Sequence, residues 1–157
     1  MSCRVHLLCG LVGAGKTTYA RRLAAELPAV RFGLDEWMIR LYDLRYDDPD
    51  YPVRLEPCML LIWDTARQIL GLGHDVVLDW NQWSRERRAI WRQRALDAGY
   101  RVTLHHVDVS STTAVRRATN RNAAYSHEIT ADEVRRFSTI FEPPQADEGI
   151  EIVTVRP

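Results

Sequence analysis

Short apolar runs alternate along this chain with longer stretches whose apolar residues recur three and four places apart, so a strand period repeatedly gives way to a helix period. Residues 4–9 (RVHLLC) read as a short buried strand, and residues 16–27 place Tyr19, Ala20, Leu23, Ala24 and Leu27 on one helical face before Pro28 ends it. A second strand is predicted over 30–34 and the start of a helix over 35–41. Between 43 and 53 the pattern breaks into DLRYDDPDYPV, acidic, aromatic and interrupted by proline, which predicts a mobile loop. Helical spacing resumes over 55–72, closed by Gly71 and Gly73, and residues 74–79 (HDVVLD) form a third strand ending in a carboxylate. Residues 84–98 predict a helix capped by Ser84 and stopped at Gly99, and residues 100–107 a fourth strand. An arginine-rich helix over 109–122, a helix opened by Thr130 with Glu133 completing a capping box, and a last strand over 150–155 complete the pattern.

Strands separated by helix-length segments require crossover connections, which predicts a mainly parallel five-stranded sheet between helices in one domain over residues 1–157. Ligands in such sheets sit at the carboxyl ends of the strands. Gly10, Asp35, Asp79 and Asp108 each follow an apolar strand run and together outline a site there.

The first of these positions opens GLVGAGKT, residues 10–17, which satisfies G-x-x-x-x-G-K-[ST] between a strand and a helix. Gly10, Gly13 and Gly15 let the backbone turn its N–H groups inward, so that the loop through Val12, Ala14 and Thr18 cradles phosphates at a helix N-terminus. Lys16 is expected to reach the β- and γ-phosphates of ATP, and the Thr17 hydroxyl to ligate Mg2+. The expected fold is therefore α/β, a P-loop NTPase three-layer α/β/α sandwich. Asp79, the last residue of VVLD, stands where a Walker B carboxylate is needed in the outer shell of the metal; read blandly, it caps a turn. Asp35, one βα unit after the phosphate loop, is placed to take a proton from an acceptor hydroxyl; as a purely structural group it would cap the helix that follows.

Acidic and basic residues balance at 21 each, which leaves no general attraction for a polyanion, so any phosphate binding must be local. Every basic residue other than the histidines is arginine except Lys16, where a compact ammonium replaces the broad guanidinium fork. Three unpatterned cysteines, Cys3, Cys9 and Cys58, and the lack of a long apolar leader or spanning segment predict a reduced, cytoplasmic, unprocessed protein, monomer or homodimer. His105 and His106, adjacent in a strand, point to opposite faces and are assigned no role.

The runs GLVGAGKTT, FGLDEW, VVLDWN with Arg87 and Arg88 downstream, VRRATNR and FEPPQADEG resemble the small P-loop kinases of the zeta-toxin and polynucleotide-kinase group over nearly the whole chain. The resemblance implies that Asp35 is the acceptor base and that Arg117 and Arg121, with Arg116 as a third candidate, belong to a short helical lid over about 110–130 that covers the phosphates. Arg117 and Arg121 lie four apart, so a helix would present both on one face. The group's usual D-A-T-N is here Asp79-Trp80-Asn81-Gln82, which places a bulky ring where a small residue is common. Trp37, Trp80 and Trp83, with Tyr42, Tyr46 and Tyr51, therefore either line an acceptor pocket or pack in the core.

These readings combine into an ATP-dependent kinase acting on a hydroxyl of a small molecule, as the chloramphenicol phosphotransferases in the same resemblance do. The resemblance also covers kinases of nucleic-acid ends, which zero net charge and the acidic loop disfavour. A nucleotide-binding switch or partner-regulated ATPase is the alternative of another class, with the 43–53 loop as its moving part. No N-K-x-D guanine motif is present.

Overall fold

The computed structural model describes residues 3–120 and 129–157. Its elements run β1 (Arg4–Gly10), α1 (Lys16–Glu26), β2 (Ala29–Gly33), α2 (Leu34–Tyr42), α3 (Tyr51–Gly71), β3 (Asp75–Asn81), α4 (Arg85–Asp97), β4 (Arg101–Val107), α5 (Ser111–Thr119), α6 (Ala131–Ile140) and β5 (Glu151–Val155). Five strands form one sheet in the order β2-β3-β1-β4-β5. All four strand pairs are parallel, so the expected mainly parallel sheet is wholly parallel among the described residues.

Strand alternation builds the layers. Val5, Leu7 and Cys9 of β1 and Val76, Leu78 and Trp80 of β3 join a core with α3 and α4 that includes Ile62, Trp63, Ala66 and Trp91. Leu8 and Val77, one residue out of phase, pack instead on Ala20 and Leu23 of α1. A third, smaller cluster joins Ala114 and Ala118 of α5 to Val134 of α6 over Leu11 and Val12. The capping signals hold: Ser84 accepts the N–H of Arg87, and Thr130 and Glu133 close a capping box.

Three differences from the sequence reading bear on the site. The helix expected from residue 55 begins at Tyr51, because Pro52 sits in the first turn, where its missing N–H is not needed; the loop shrinks to residues 43–50. The arginine-rich helix starts at Ser111, after the Ser110 cap, rather than at 109. Finally, β3 runs past Asp79 to Asn81, with a register break against β1 in which Leu7 pairs Leu78 while Leu8 pairs Asn81. Asp79 and Trp80 are the residues that this irregularity adds, and irregular ladders of this kind re-aim side chains beside functional sites.

On the face that α1 covers, Tyr19, His105, His6 and Asp75 form a hydrogen-bonded chain. Tyr19 OH lies 2.8 Å from His105 Nδ1, His105 Nε2 lies 2.9 Å from His6 Nδ1, and His6 Nε2 lies 3.1 Å from Asp75 Oδ2. With both imidazoles neutral, one proton arrangement satisfies all three contacts, each donor pointing toward the Asp75 carboxylate. Elsewhere Arg88 is fully buried. Its Nε and Nη2 each donate at 2.7 Å to Glu148, and Nη1 donates to the carbonyls of Gln82 and Glu142. That single guanidinium ties the β3–α4 loop to the segment after α6.

Candidate active site

The loop from Gly10 to Lys16 joins the central strand to α1. The N-cap of α1 is Gly15, with no side-chain cap bond, and no acidic residue sits in the first turn. Nothing within the helix therefore neutralises its positive end, which is a ready site for an anion. Val12, Gly13, Gly15, Lys16, Thr17 and Thr18 line a cleft of about 360 Å³ together with Asp35, Asp79, Trp80, Asn81 and Arg117. Gly10 and Ala14 do not line it: Gly10 faces a neighbouring cavity and Ala14 is fully buried. Gly13 has φ +85°, and a Cβ there would lie 2.2 Å from the Ala114 carbonyl oxygen, so α5 rests directly on the loop. Lys16 Nζ donates to the carbonyls of Gly10 at 3.2 Å and Leu11 at 2.7 Å.

Asp79 is where the cleft's charges meet. Thr17 Oγ1 donates to its Oδ1 at 3.4 Å, while Arg31 Nε donates to its Oδ2 at 2.8 Å. Arg31 also donates at 2.6 Å to Glu36, which receives Arg21 at 3.0 Å as well. Burial works to lower the Arg31 pKa, but the Glu36 hydrogen bond and the Asp79 charge outweigh it and hold the guanidinium charged. The same Arg31 bond keeps the Glu36 carboxyl below its usual range. Neither Arg31 nor Glu36 was among the sequence candidates. The available signal was a charged residue interrupting the β2 run.

Asp35 lies in the first turn of α2, inside the helix rather than capping it; the N-cap is Gly33. The carboxylate is exposed and lines the cleft. Burial pushes the Tyr51 hydroxyl pKa up, and the nearby Asp35 charge pushes it further. Asp108, expected at the same edge, is bound instead by Arg156 at 3.0 Å and does not line the cleft. Arg117 Nη1 donates to the Ala14 carbonyl at 2.9 Å, which holds it against the phosphate loop. Arg116 is exposed, and Arg121 lies outside the described residues.

The aromatic candidates divide. Trp80 is 6% exposed and packs on Trp91 with ring centroids 5.0 Å apart, yet it also borders the cleft; its Nε1 is buried without a hydrogen-bond partner among the described residues. Trp37 packs edge-on against Phe32, Tyr46 against Phe137, and Tyr42 lies beneath Arg54. Trp83 is exposed beside Arg87. Cys9 is fully buried, and burial pushes its thiol pKa up to about 12, which removes it as a nucleophile.

Chemically the cleft offers backbone donors and Lys16 for phosphate, a hydroxyl and a carboxylate within 3.4 Å of each other as hard oxygen donors, and a second, exposed carboxylate. The oxygen pair suits Mg2+, which takes few protein ligands and keeps its waters. No cluster of three metal-ligating side chains occurs among the described residues. No described helix is long and apolar enough to cross a membrane.

Compared with known proteins, residues 5–144 match the model of a family described as AAA domain. No curated protein matches the chain in sequence. Among solved structures, a putative kinase from Chloroflexus aurantiacus is 17% identical, with 99% of this chain and 89% of that one covered at a TM-score of 0.74. Kti12 from Chaetomium thermophilum, solved in complex with ADP-AlF3, is 18% identical over 97% of this chain and 88% of its own, at 0.69. A gluconokinase from Sinorhizobium meliloti is 16% identical over 98% and 83%, at 0.57. At these identities the likeness is one of fold, an α/β P-loop NTPase-like fold shared with two proteins named as kinases.

Proposed function

This chain belongs to the AAA domain family, and on that premise we propose that it is an ATP-dependent phosphotransferase moving the γ-phosphoryl group of ATP to a hydroxyl of a small-molecule acceptor. The observation that carries this reading is the meeting, in one cleft, of a phosphate-binding loop bearing Lys16 with the exposed carboxylate of Asp35.

The loop amides and Lys16 hold the β- and γ-phosphates, Lys16 exchanging its bonds to the Gly10 and Leu11 carbonyls for phosphate oxygens. Thr17 and Asp79 are the residues that would hold Mg2+, which would supply positive charge to offset that of the phosphates. Asp35 orients the acceptor hydroxyl and takes its proton as the new O–P bond forms and the bond to the ADP oxygen breaks. Arg117, held against the loop, and Arg121 stabilise charge on the moving phosphoryl group. The chain acts as one domain, and α5, resting on the phosphate loop at Gly13, is the described part of its lid. The kinase names of two structural relatives and the nucleotide complex of a third support the class of reaction.

The test is transfer from radiolabelled ATP with Mg2+ to a panel of sugars, nucleosides, aryl alcohols and oligonucleotides with free 5′-hydroxyls. Asp35→Asn is expected to keep ATP affinity while losing about 10²- to 10⁴-fold in transfer. Undiminished transfer by Asp35→Asn refutes the base. Tight ATP binding with no acceptor labelled refutes the phosphotransferase, and labelling of the oligonucleotide alone replaces the small acceptor with a nucleic-acid end.

A further inference from the structure

Val12 and Asn81, which line the phosphate cleft, also line a second cavity of about 300 Å³. Its other walls are almost all hydrocarbon: Leu11 of the phosphate loop, Trp83 of the β3–α4 loop, and Phe137, Ile140 and Phe141 from the end of α6. Among the described residues, none of its lining side chains is charged. Trp83 is 36% and Ile140 46% exposed, so two large apolar groups stand at an opening rather than in the core.

The walls are braced from behind. Trp83 O accepts the Glu142 N–H at 2.9 Å, and the buried Arg88 donates to the carbonyls of Gln82 and Glu142, which fixes the loop bearing Trp83 against the segment bearing Phe141. A cavity held this way is formed before a ligand arrives. At its junction with the phosphate cleft, Asn81 Nδ2 donates to the Gly10 carbonyl at 2.9 Å. That bond sets the amide orientation and leaves Asn81 Oδ1, buried and without a partner among the described residues, as an acceptor for a donor on the ligand.

The geometry points to a subsite for the acceptor's body, and to an acceptor that is a neutral alcohol carrying an aromatic or bulky apolar group. The apolar group fills the second cavity, an N–H or O–H meets Asn81 Oδ1, and the reacting hydroxyl extends past Val12 and Asn81 into the cleft that holds Asp35. A volume near 300 Å³ is at the small end of ligand sites, enough for one ring and its substituents. A wall whose described residues include no cation disfavours an acceptor that brings its own phosphate or carboxylate to it. The transfer part of this inference rests on the phosphotransferase reading; the binding part does not.

Binding is measured by ligand-observed NMR on the intact chain with Mg2+ and a non-hydrolysable ATP analogue, using benzyl alcohol and glycerol as probes. Benzyl alcohol is expected to bind and glycerol not. Ile140→Glu, a change at an exposed rim position, should weaken benzyl alcohol by at least about tenfold while leaving nucleotide affinity intact. Val153→Glu on β5 adds the same charge elsewhere and should change nothing, and Trp83→Ser is the second variant if Ile140→Glu is unstable. Equal binding of the two probes, or benzyl alcohol binding untouched by Ile140→Glu and Trp83→Ser, overturns the subsite. A dimer seen by sedimentation that Ile140→Glu dissolves, with no benzyl alcohol bound, gives the cavity to a second copy and also overturns it. Benzyl alcohol bound and displaced by Ile140→Glu, with no acceptor ever phosphorylated, sustains the subsite and sinks only the phosphotransferase reading.

Discussion

Arg31 Nη2 lies 2.7 Å from Asp79 Oδ2, in a pair whose side chains are 15% and 5% exposed. The carboxylate at the heart of the cleft is thus split between two partners, Arg31 on one oxygen and the Thr17 hydroxyl on the other. Arg31 answers to Glu36 as well, so one guanidinium links β2, α2 and β3 at the edge of the phosphate site.

Arg31→Met should therefore leave two carboxylates facing each other without their shared cation. Stripping one partner from a largely buried pair is expected to cost about 3 kcal/mol, read as a lowered urea midpoint with an unchanged slope. Arg31→Lys, which keeps the charge but loses the planar fork, should recover part of that loss. A stability unchanged in Arg31→Met would mean that the pair contributes nothing net.

Gly13→Ala tests the contact between phosphate loop and α5. The added Cβ meets the Ala114 carbonyl oxygen at 2.2 Å and the Ala118 Cβ at 2.9 Å, and the φ of +85° strains an L-residue besides. Loss of nucleotide binding, with about 2 kcal/mol of stability lost, is the expected outcome by titration and denaturation. Wild-type affinity in this variant would show that α5 can move off the loop freely.

The Tyr19–His105–His6–Asp75 chain predicts a pH dependence of stability. Burial, helped by the adjacent His6, lowers the His105 pKa from 6.5 to about 4. The unfolded chain takes up this proton near pH 6.5, whereas the folded one resists until about pH 4. The contribution is therefore complete above the upper value and is lost progressively as the pH falls toward the lower one, about 3 kcal/mol in all. Urea midpoints across that window, subtracted from those of His105→Gln, isolate it from carboxylate pairs such as Glu148 with Arg88. A difference curve flat in pH would remove His105 as the sensitive group.

The strand and helix alternation, the five-stranded sheet, the phosphate loop and the Thr130–Glu133 cap were legible in the chain because each rests on local spacing: a period of two or of 3.6, a glycine turn, a cap three residues from its partner. Lys16, Thr17, Asp35 and Asp79 were expected near one another because each lies at or just beyond the carboxyl end of a parallel strand, and the four line one cleft. The same rule put Asp108 at that edge, directly after β4, but not in the cleft, since following a strand does not say which neighbour a carboxylate will find, and here Arg156 claims it.

What the tertiary structure alone decided depends on residues far apart in the chain. The register break that brings Asp79 and Trp80 to the cleft exists only once β3 pairs with β1. Arg31 reaches Asp79 across 48 positions, and Arg88 binds Glu148 across 60, distances over which no sequence period survives. Trp80 and Trp83 look alike in the sequence; a three-residue difference along a twisted edge sends one ring into the core against Trp91 and leaves the other at the mouth of the apolar cavity. Local spacing settles what each segment becomes, because that is decided by hydrogen bonds and side chains a few residues apart. Which polar groups meet, and which apolar ones stay uncovered, is decided only when the layers close and burial makes every unpaired charge costly.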